Sequence, residues 1–99
     1  LRAYVIGGFM KAIVTVLGAD TKGIIAKVSG ALFECGVNIL DISQTVFREE
    51  IFSMVMLTDM SEMTVDFSAL KERLDEVAQD LGMDIQIQRE EIFNSMHRV

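Results

Sequence analysis

The sequence predicts an α+β fold of the split βαββαβ kind: a four-stranded antiparallel sheet with two helices on one face. Three observations carry this prediction. Two stretches repeat apolar residues at helical spacing. Four others are β-branched and apolar, or alternate apolar with polar at a period of two. Glycines or polar clusters separate the six, and their order along the chain is strand, helix, strand, strand, helix, strand.

Residues 11–17, KAIVTVL, are apolar and β-branched almost throughout, as a central strand requires. Gly18-Ala19-Asp20-Thr21-Lys22-Gly23 follows as a turn. Ile24, Val28 and Leu32 recur every four residues beside Ile25 and Ala31, which predicts an amphipathic helix with Asp20 or Thr21 as its N-terminal cap. Gly36 stands where a helix end favours positive φ. Residues 37–48 predict a second strand, Glu49-Glu50 a tight reversal and residues 51–57 a third strand, so that strands two and three form a hairpin. Asp59 to Thr64 is a polar loop punctuated by Met60 and Met63. Phe67, Leu70, Leu74, Val77, Ala78 and Leu81 form a second helical stripe, capped by Asp66 or Ser68 and followed by Gly82. Met83, Ile85 and Ile87 alternate with Asp84, Gln86 and Gln88, the pattern of a half-buried fourth strand. The whole is a ferredoxin-like sandwich.

A sheet with helices on one side only should be polar on the other. The fourth strand obeys this with its glutamines. Strands one and three do not, because Ile13 and Leu17 oppose Ala12, Val14 and Val16, while Ile51, Val55 and Leu57 oppose Phe52, Met54 and Met56. Either something covers the second face or the sheet extends into a partner, so a homodimer is expected.

The 99 residues, 51% hydrophobic and 24% charged, suffice for one core but not for a catalytic domain beside it. The single domain is assigned to residues 10–91. Leu1 to Phe9 precede Met10 and read as an extension outside the fold. The tail, 92–99, carries Ile92, Phe93 and Met96 on one helical face and is expected to pack on the domain or the dimer. The net charge of −6 disfavours direct binding to nucleic acid or to anionic membrane surfaces. No apolar run approaches the roughly 20 residues of a membrane span. The one cysteine, Cys35, has no partner in the sequence for a disulfide, which fits a reducing cytoplasmic setting.

The turn Gly18-x-Asp20-x-x-Gly23-Ile24 is the first candidate site. Gly23 lets backbone approach a ligand, and the free N–H groups of the helix start, near Gly23 to Ala26, favour a carboxylate. Asp20 can accept an ammonium group. The pair suits a free amino acid, although a plain helix cap uses the same residue types. Asn38, at the start of strand two, is the second candidate. Its amide both donates and accepts, and the same residue also serves turns after helices.

The run KAIVTVLGADTKGIIA from Lys11, followed by GVNILDISQT from Gly36 and the ending IFNSMHRV from Ile92, resembles an ACT domain. More narrowly, it resembles the small bacterial and archaeal proteins made of one such domain, relatives of the glycine cleavage system transcriptional repressor. The resemblance implies a regulatory domain that pairs and binds an amino acid where two domains meet. It implies a ligand loop containing Asp20, Lys22 and Gly23 with Ile24 behind it, and a facing strand containing Asn38, Ile39 and Leu40. Lys22 stands where a proline often precedes the glycine, and Asp20 where serine-binding members have an amide, so the ligand's identity stays open. A protein partner without any small ligand is the alternative.

Other residues carry less. His97 is the lone histidine, and a metal site needs several ligands. Cys35 reads as a buried, inert thiol. Glu49-Glu50 and Glu90-Glu91 read as solvated turns rather than acid/base pairs. The Met60–Met63 segment reads as a connection, with a sticky lid as the other possibility. No Ser-His-Asp set and no phosphate loop is present. The expectation is therefore no enzyme and no cofactor.

Overall fold

The structure is a computed structural model that describes residues 10–48 and 50–89. The extension at 1–9, the tail at 92–99, His97, Glu49 and the Glu90-Glu91 pair lie outside the described residues.

The elements are β1 (Lys11–Ala19), α1 (Ile24–Glu34), β2 (Asn38–Phe47), β3 (Ile51–Asp59), α2 (Phe67–Leu81) and β4 (Asp84–Arg89). The sheet order is β2-β3-β1-β4, and every neighbouring pair is antiparallel. This is the expected ferredoxin-like α+β sandwich. β1 and β3 each extend two residues beyond their apolar runs, since ladder pairing continues from Lys11–Asp59 to Ala19–Ile51. β2 starts at Asn38 rather than Val37 and stops before Arg48, which sits at φ 54 in the hairpin turn.

Alternation and register fix which side chains are covered. Ala12, Val14 and Val16 of β1, Phe52, Met54 and Met56 of β3, and Ile85 and Ile87 of β4 all point to the helix side and are buried. They meet Ile24, Val28, Ala31 and Leu32 of α1 and Leu70, Leu74 and Val77 of α2. Thr58 is the one buried polar residue among those described, and its Oγ1 donates to the Ala12 carbonyl at 2.8 Å. β2 differs from the other strands. All its residues except Ile39 are exposed, because the helices do not reach over the sheet edge. Leu40 is the extra residue of a β-bulge between Ile39 and Asp41.

The helix ends show which capping expectations hold. Asp66 caps α2: its side chain accepts from the Ala69 N–H at 2.8 Å, and Ser68 has no part in the cap. α1 contradicts the expectation of an Asp20 or Thr21 cap. Its N-cap is Gly23, at φ 83 and ψ 10, with no side-chain capping bond. The left-handed glycine turns the chain so sharply into the helix that the side chains before it are not presented to the first turn. α1 closes in a Schellman motif, with Val37 N–H to the Leu32 carbonyl at 2.9 Å and Gly36 N–H to the Phe33 carbonyl at 3.0 Å. Gly36 has the expected positive φ of 76, and a Cβ there would lie 2.8 Å from the Glu62 carbonyl oxygen.

Two ion pairs tie the outer surfaces of the helices together: Lys27 Nζ to Asp80 Oδ2 at 2.5 Å, and Arg73 Nε to Glu34 Oε1 at 3.0 Å. The hydrogen bond from Arg73 holds the Glu34 carboxyl below the usual carboxylate range, and Lys27 does the same for Asp80. Three of the four side chains are well exposed and Arg73 is partly so, and each pair contributes little by itself.

Two predictions follow from this packing. Asp66→Ala should cost about 1 kcal/mol in urea unfolding, whereas Ser68→Ala should stay within about 0.5 kcal/mol. A depressed folded-state carboxyl gives stability that is present above its unfolded value and lost as pH falls through the folded one. Melting temperature should therefore hold between neutral pH and about pH 5 and fall below about pH 4. The Glu34→Gln/Asp80→Asn protein should show a shallower acid decline in the same melts.

Candidate functional site

The β1–α1 turn sits at the sheet end where β1 stops. Asp20, Thr21, Lys22 and Gly23 are all exposed, and the Asp20 N–H donates to the Glu50 carbonyl at 2.8 Å, which pins the turn to the β2–β3 hairpin. The first hydrogen bond of the helix runs from Lys27 N–H to the Gly23 carbonyl at 2.9 Å. The N–H groups of Ile24, Ile25 and Ala26 precede it and have no acceptor among the described residues. The Ile24 side chain is buried behind the turn, while Ile25 and Ala26 are exposed. The corner is thus a set of aimed donors without a side-chain cap, and it favours an anion. The Asp20 carboxylate makes no side-chain hydrogen bond among the described residues, so neither capping nor turn-making occupies it.

Gly23 supports this arrangement through its backbone. A Cβ there would meet nothing within 4 Å, so its need for glycine comes only from the positive φ.

Asn38 lies at the other end of the sheet, where it pairs with Asp59. It faces an open cleft of about 400 Å³ lined by Phe33, Gly36, Val37, Asp59, Ser61 and Glu62. The Asp59 carboxylate accepts from the Ser61 N–H at 2.9 Å, and the Asn38 amide has no side-chain partner among the described residues. Ile39 is half-buried against the core, and Leu40 is 45% exposed on the bulge. Asp20, Lys22, Gly23 and Ile24 therefore share one sheet end, and Asn38, Ile39 and Leu40 share the opposite one. The nine residues of β1 separate the two ends by about 30 Å. Within one chain the two groups do not meet.

The expected secondary roles resolve differently. Met60 is buried and its N–H bonds to the Met10 carbonyl, while Met63 packs against the core, so this segment is anchored and is not a lid. Cys35 is buried, and burial followed by the nearby Glu34 carboxylate raises its thiol pKa, which leaves it unreactive. A larger cleft of about 650 Å³ lies between α2 and β4, where Arg89 stacks on the Phe67 ring at 4.8 Å; it shares no residue with either candidate group. Sequence reasoning missed one surface feature. Ile25 and Phe33 on α1 and Leu40, Ile42 and Val46 on β2 are all exposed, Ile42 and Val46 on the helix side of the sheet, and Phe33 is 82% exposed. The eight-residue spacing of Ile25 and Phe33 was the available signal, but helical periodicity alone does not reveal which flank the second helix covers.

The sequence profile of the ACT domain matches residues 11–88, nearly all of the described fold. The chain belongs to the ACT-domain family. ACT domains are regulatory domains that typically bind small ligands and commonly dimerise. A UPF0237 protein of Clostridium acetobutylicum is 57% identical over 90 residues, covering 91% of this chain and all of the relative. The structure of an ACT domain protein from Streptococcus pneumoniae superposes with a TM-score of 0.73 at 45% identity, covering 85% of this chain and 93% of that one. A protein assigned as a glycine cleavage system transcriptional repressor shares the fold, with a TM-score of 0.68 at 23% identity over 80% of this chain and 44% of its own length. Among the described residues, no helix of this ACT domain is long and apolar enough to cross a membrane.

One prediction tests the turn. Gly23→Ala should destabilise this ACT domain by about 1–2 kcal/mol in denaturant titration, because alanine resists the left-handed region. Asp20→Asn, which breaks no hydrogen bond among the described residues, should stay within about 0.5 kcal/mol.

Proposed function

We propose that this ACT domain acts as a homodimer that senses a free amino acid held between two copies, and that it performs no catalysis. The single observation that carries the reading is the division of the candidate residues between opposite sheet ends, which leaves each group incomplete without a second copy. β2 is an open sheet edge. In a two-fold dimer, β2 pairs antiparallel with its own copy, so opposite ends of the two domains come together. The anion-receptive turn of one copy then lies beside Asn38 of the other. The exposed flank supports the same arrangement, because a two-fold axis at mid-strand brings Phe33 of one copy toward Ile25 of the second. Ile42 and Val46 then lose their exposure along the seam.

The chemistry follows from the two halves. The N–H groups of Ile24, Ile25 and Ala26 take the ligand carboxylate. Asp20 takes the ammonium group as a charge-assisted hydrogen bond, and the Asn38 amide of the second copy supplies a donor and an acceptor. Binding tightens one mutual orientation of the domains over others, which is how such a module signals.

A thermal-shift screen of the twenty amino acids tests the reading. One of them, at about 100 times its Kd, should raise stability by about 2.7 kcal/mol. Asp20→Asn should weaken that ligand roughly 10- to 100-fold in calorimetry, the equivalent of about 1.5–3 kcal/mol. Ile42→Lys should give a monomer by light scattering and lose the ligand response with it. A dimer that responds to no amino acid would instead support the second reading, favoured by the exposed Phe33, of a protein-docking module without a small ligand.

A further inference from the structure

We propose that the cleft between α2 and β4 receives an extended peptide segment of a partner protein, which adds as a fifth strand along the open edge of β4 and carries an acidic, an apolar and a basic residue at alternate positions. Among the described residues β4 pairs only with β1, so the backbone groups on its outer side have no sheet partner there. All its residues, Asp84 to Arg89, line the cleft, which holds about 650 Å³. The opposite wall is α2, through Phe67, Lys71, Leu74 and Asp75. In a groove of this kind a peptide gains main-chain hydrogen bonds from the edge strand and side-chain contacts from the helix. β2, the other edge, has no such wall, because the helices do not reach over it.

The two walls are in step. α2 leads into β4 through Gly82 and Met83 and runs antiparallel to it, and the stacking of Arg89 on the Phe67 ring at 4.8 Å fixes their alignment. From Phe67, Lys71 and Asp75 follow on one helix face, about 6 and 12 Å along the axis. From Arg89, Ile87 and Ile85 follow at alternate strand positions, about 7 and 14 Å back along β4. One end of the cleft is cationic, with Arg89 and Lys71, and the other is anionic, with Asp75 and Asp84. Leu74, Ile85 and Ile87 form a buried apolar floor between them. Lys71 and Asp75 are exposed and make no ion pair among the described residues. Asp84 accepts from Gln86 Nε2 at 3.4 Å.

These features define the occupant. Every neighbouring pair in the sheet is antiparallel, and a fifth strand that continues the pattern has its N-terminal end beside Arg89. Residues directly opposite in an antiparallel pair share a face of the sheet. The first, third and fifth residues of the peptide, opposite Arg89, Ile87 and Ile85, point toward α2. An acidic side chain at the first meets Arg89 and Lys71, an apolar one at the third covers Ile87 beside Leu74, and a basic one at the fifth meets Asp75. The second and fourth lie beside Gln88 and Gln86 and suit polar residues. A second copy fits less well. Two-fold pairing of β4 with itself sets Asp84 against Gln88 when centred on Gln86, and Arg89 against Ile85 when centred on Ile87. In neither register does Arg89 oppose Asp84, because the two face opposite sides of the sheet. The cleft shares no residue with the Asp20 and Asn38 groups, so the inference stands whether or not an amino acid binds.

Fluorescence anisotropy on the full chain tests it. The probe is the peptide glutamate-threonine-valine-threonine-lysine, flanked by serines and labelled with fluorescein. It should bind saturably, and the peptide with glutamate and lysine exchanged should bind roughly tenfold more weakly. Strand addition aims the N–H groups of alternate peptide residues at β4. N-methylation of one alternate set, either the threonines or the glutamate, valine and lysine, should abolish binding, while methylation of the other set leaves affinity within about threefold. Lys71→Asp with Asp75→Lys alters two exposed side chains without an ion pair to break among the described residues. That double variant should lose the preference between the two peptides with its far-ultraviolet circular dichroism unchanged. Absence of binding, the result if a second copy or residues 92–99 occupied the edge, would overturn the proposal. So would equal binding of the two peptides, indifference to both methylation patterns, or a preference that survives in the double variant.

Discussion

Burial of one side of β1 is the constraint on which the rest of the molecule depends. The strand is central, with ladder partners on both edges, and Ala12, Val14 and Val16 are almost wholly buried beneath the two helices. A shift of register by one residue would turn all three out and Ile13, Thr15 and Leu17 in. That change would also break the bond from Thr58 to the Ala12 carbonyl. The register therefore holds. It fixes where β1 ends and so where the Asp20–Gly23 turn projects.

The same strand explains the geometry of the candidate site. A βαβ unit returns the chain across the sheet before its next strand begins. The start of α1 and the start of β2 must then lie at opposite ends, separated by the length of β1. Under the proposed reading, a ligand-binding set divided in this way couples binding to the arrangement of two domains. Each group is tied to the rest of the fold, by Asp20 N–H to the Glu50 carbonyl at one end and by the Schellman turn at the other. Two open surfaces, the β2 edge and the helix-free face of β1 and β3, differ in kind: one is a strand edge with unpaired backbone groups, the other a face on which Ile13, Leu17, Ile51, Val55 and Leu57 are interrupted by Thr15 and Ser53.

Much of the fold was legible because its signals are local. The Ile24-Val28-Leu32 and Leu70-Leu74-Val77 stripes marked both helices, the glutamines of β4 marked its solvent side, and Asp66 stood at a cap position. The α1 cap was misread for a physical reason. Asp20 and Thr21 are typical capping types, but capping requires the side chain to reach back to the first turn, and the φ of Gly23 directs the chain elsewhere. The ion pairs Lys27–Asp80 and Arg73–Glu34 join residues far apart in sequence, so no spacing pattern could announce them. Asp20, Gly23 and Asn38 were legible as residues of interest, yet nothing local says that about 30 Å lies between them.

The sequence by itself determined the order and type of the elements, the buried side of β4, and the ACT-domain family. These follow from periodicity and turn chemistry, which act over a few residues. The tertiary structure alone decided which strands became edges, how far the helix layer reaches, and which flank of α1 stays open. Those properties arise from the way two helices of fixed width settle on four strands. The layer is too narrow to cover β2, so Ile42, Val46 and Phe33, ordinary apolar residues in the sequence, become an exposed surface.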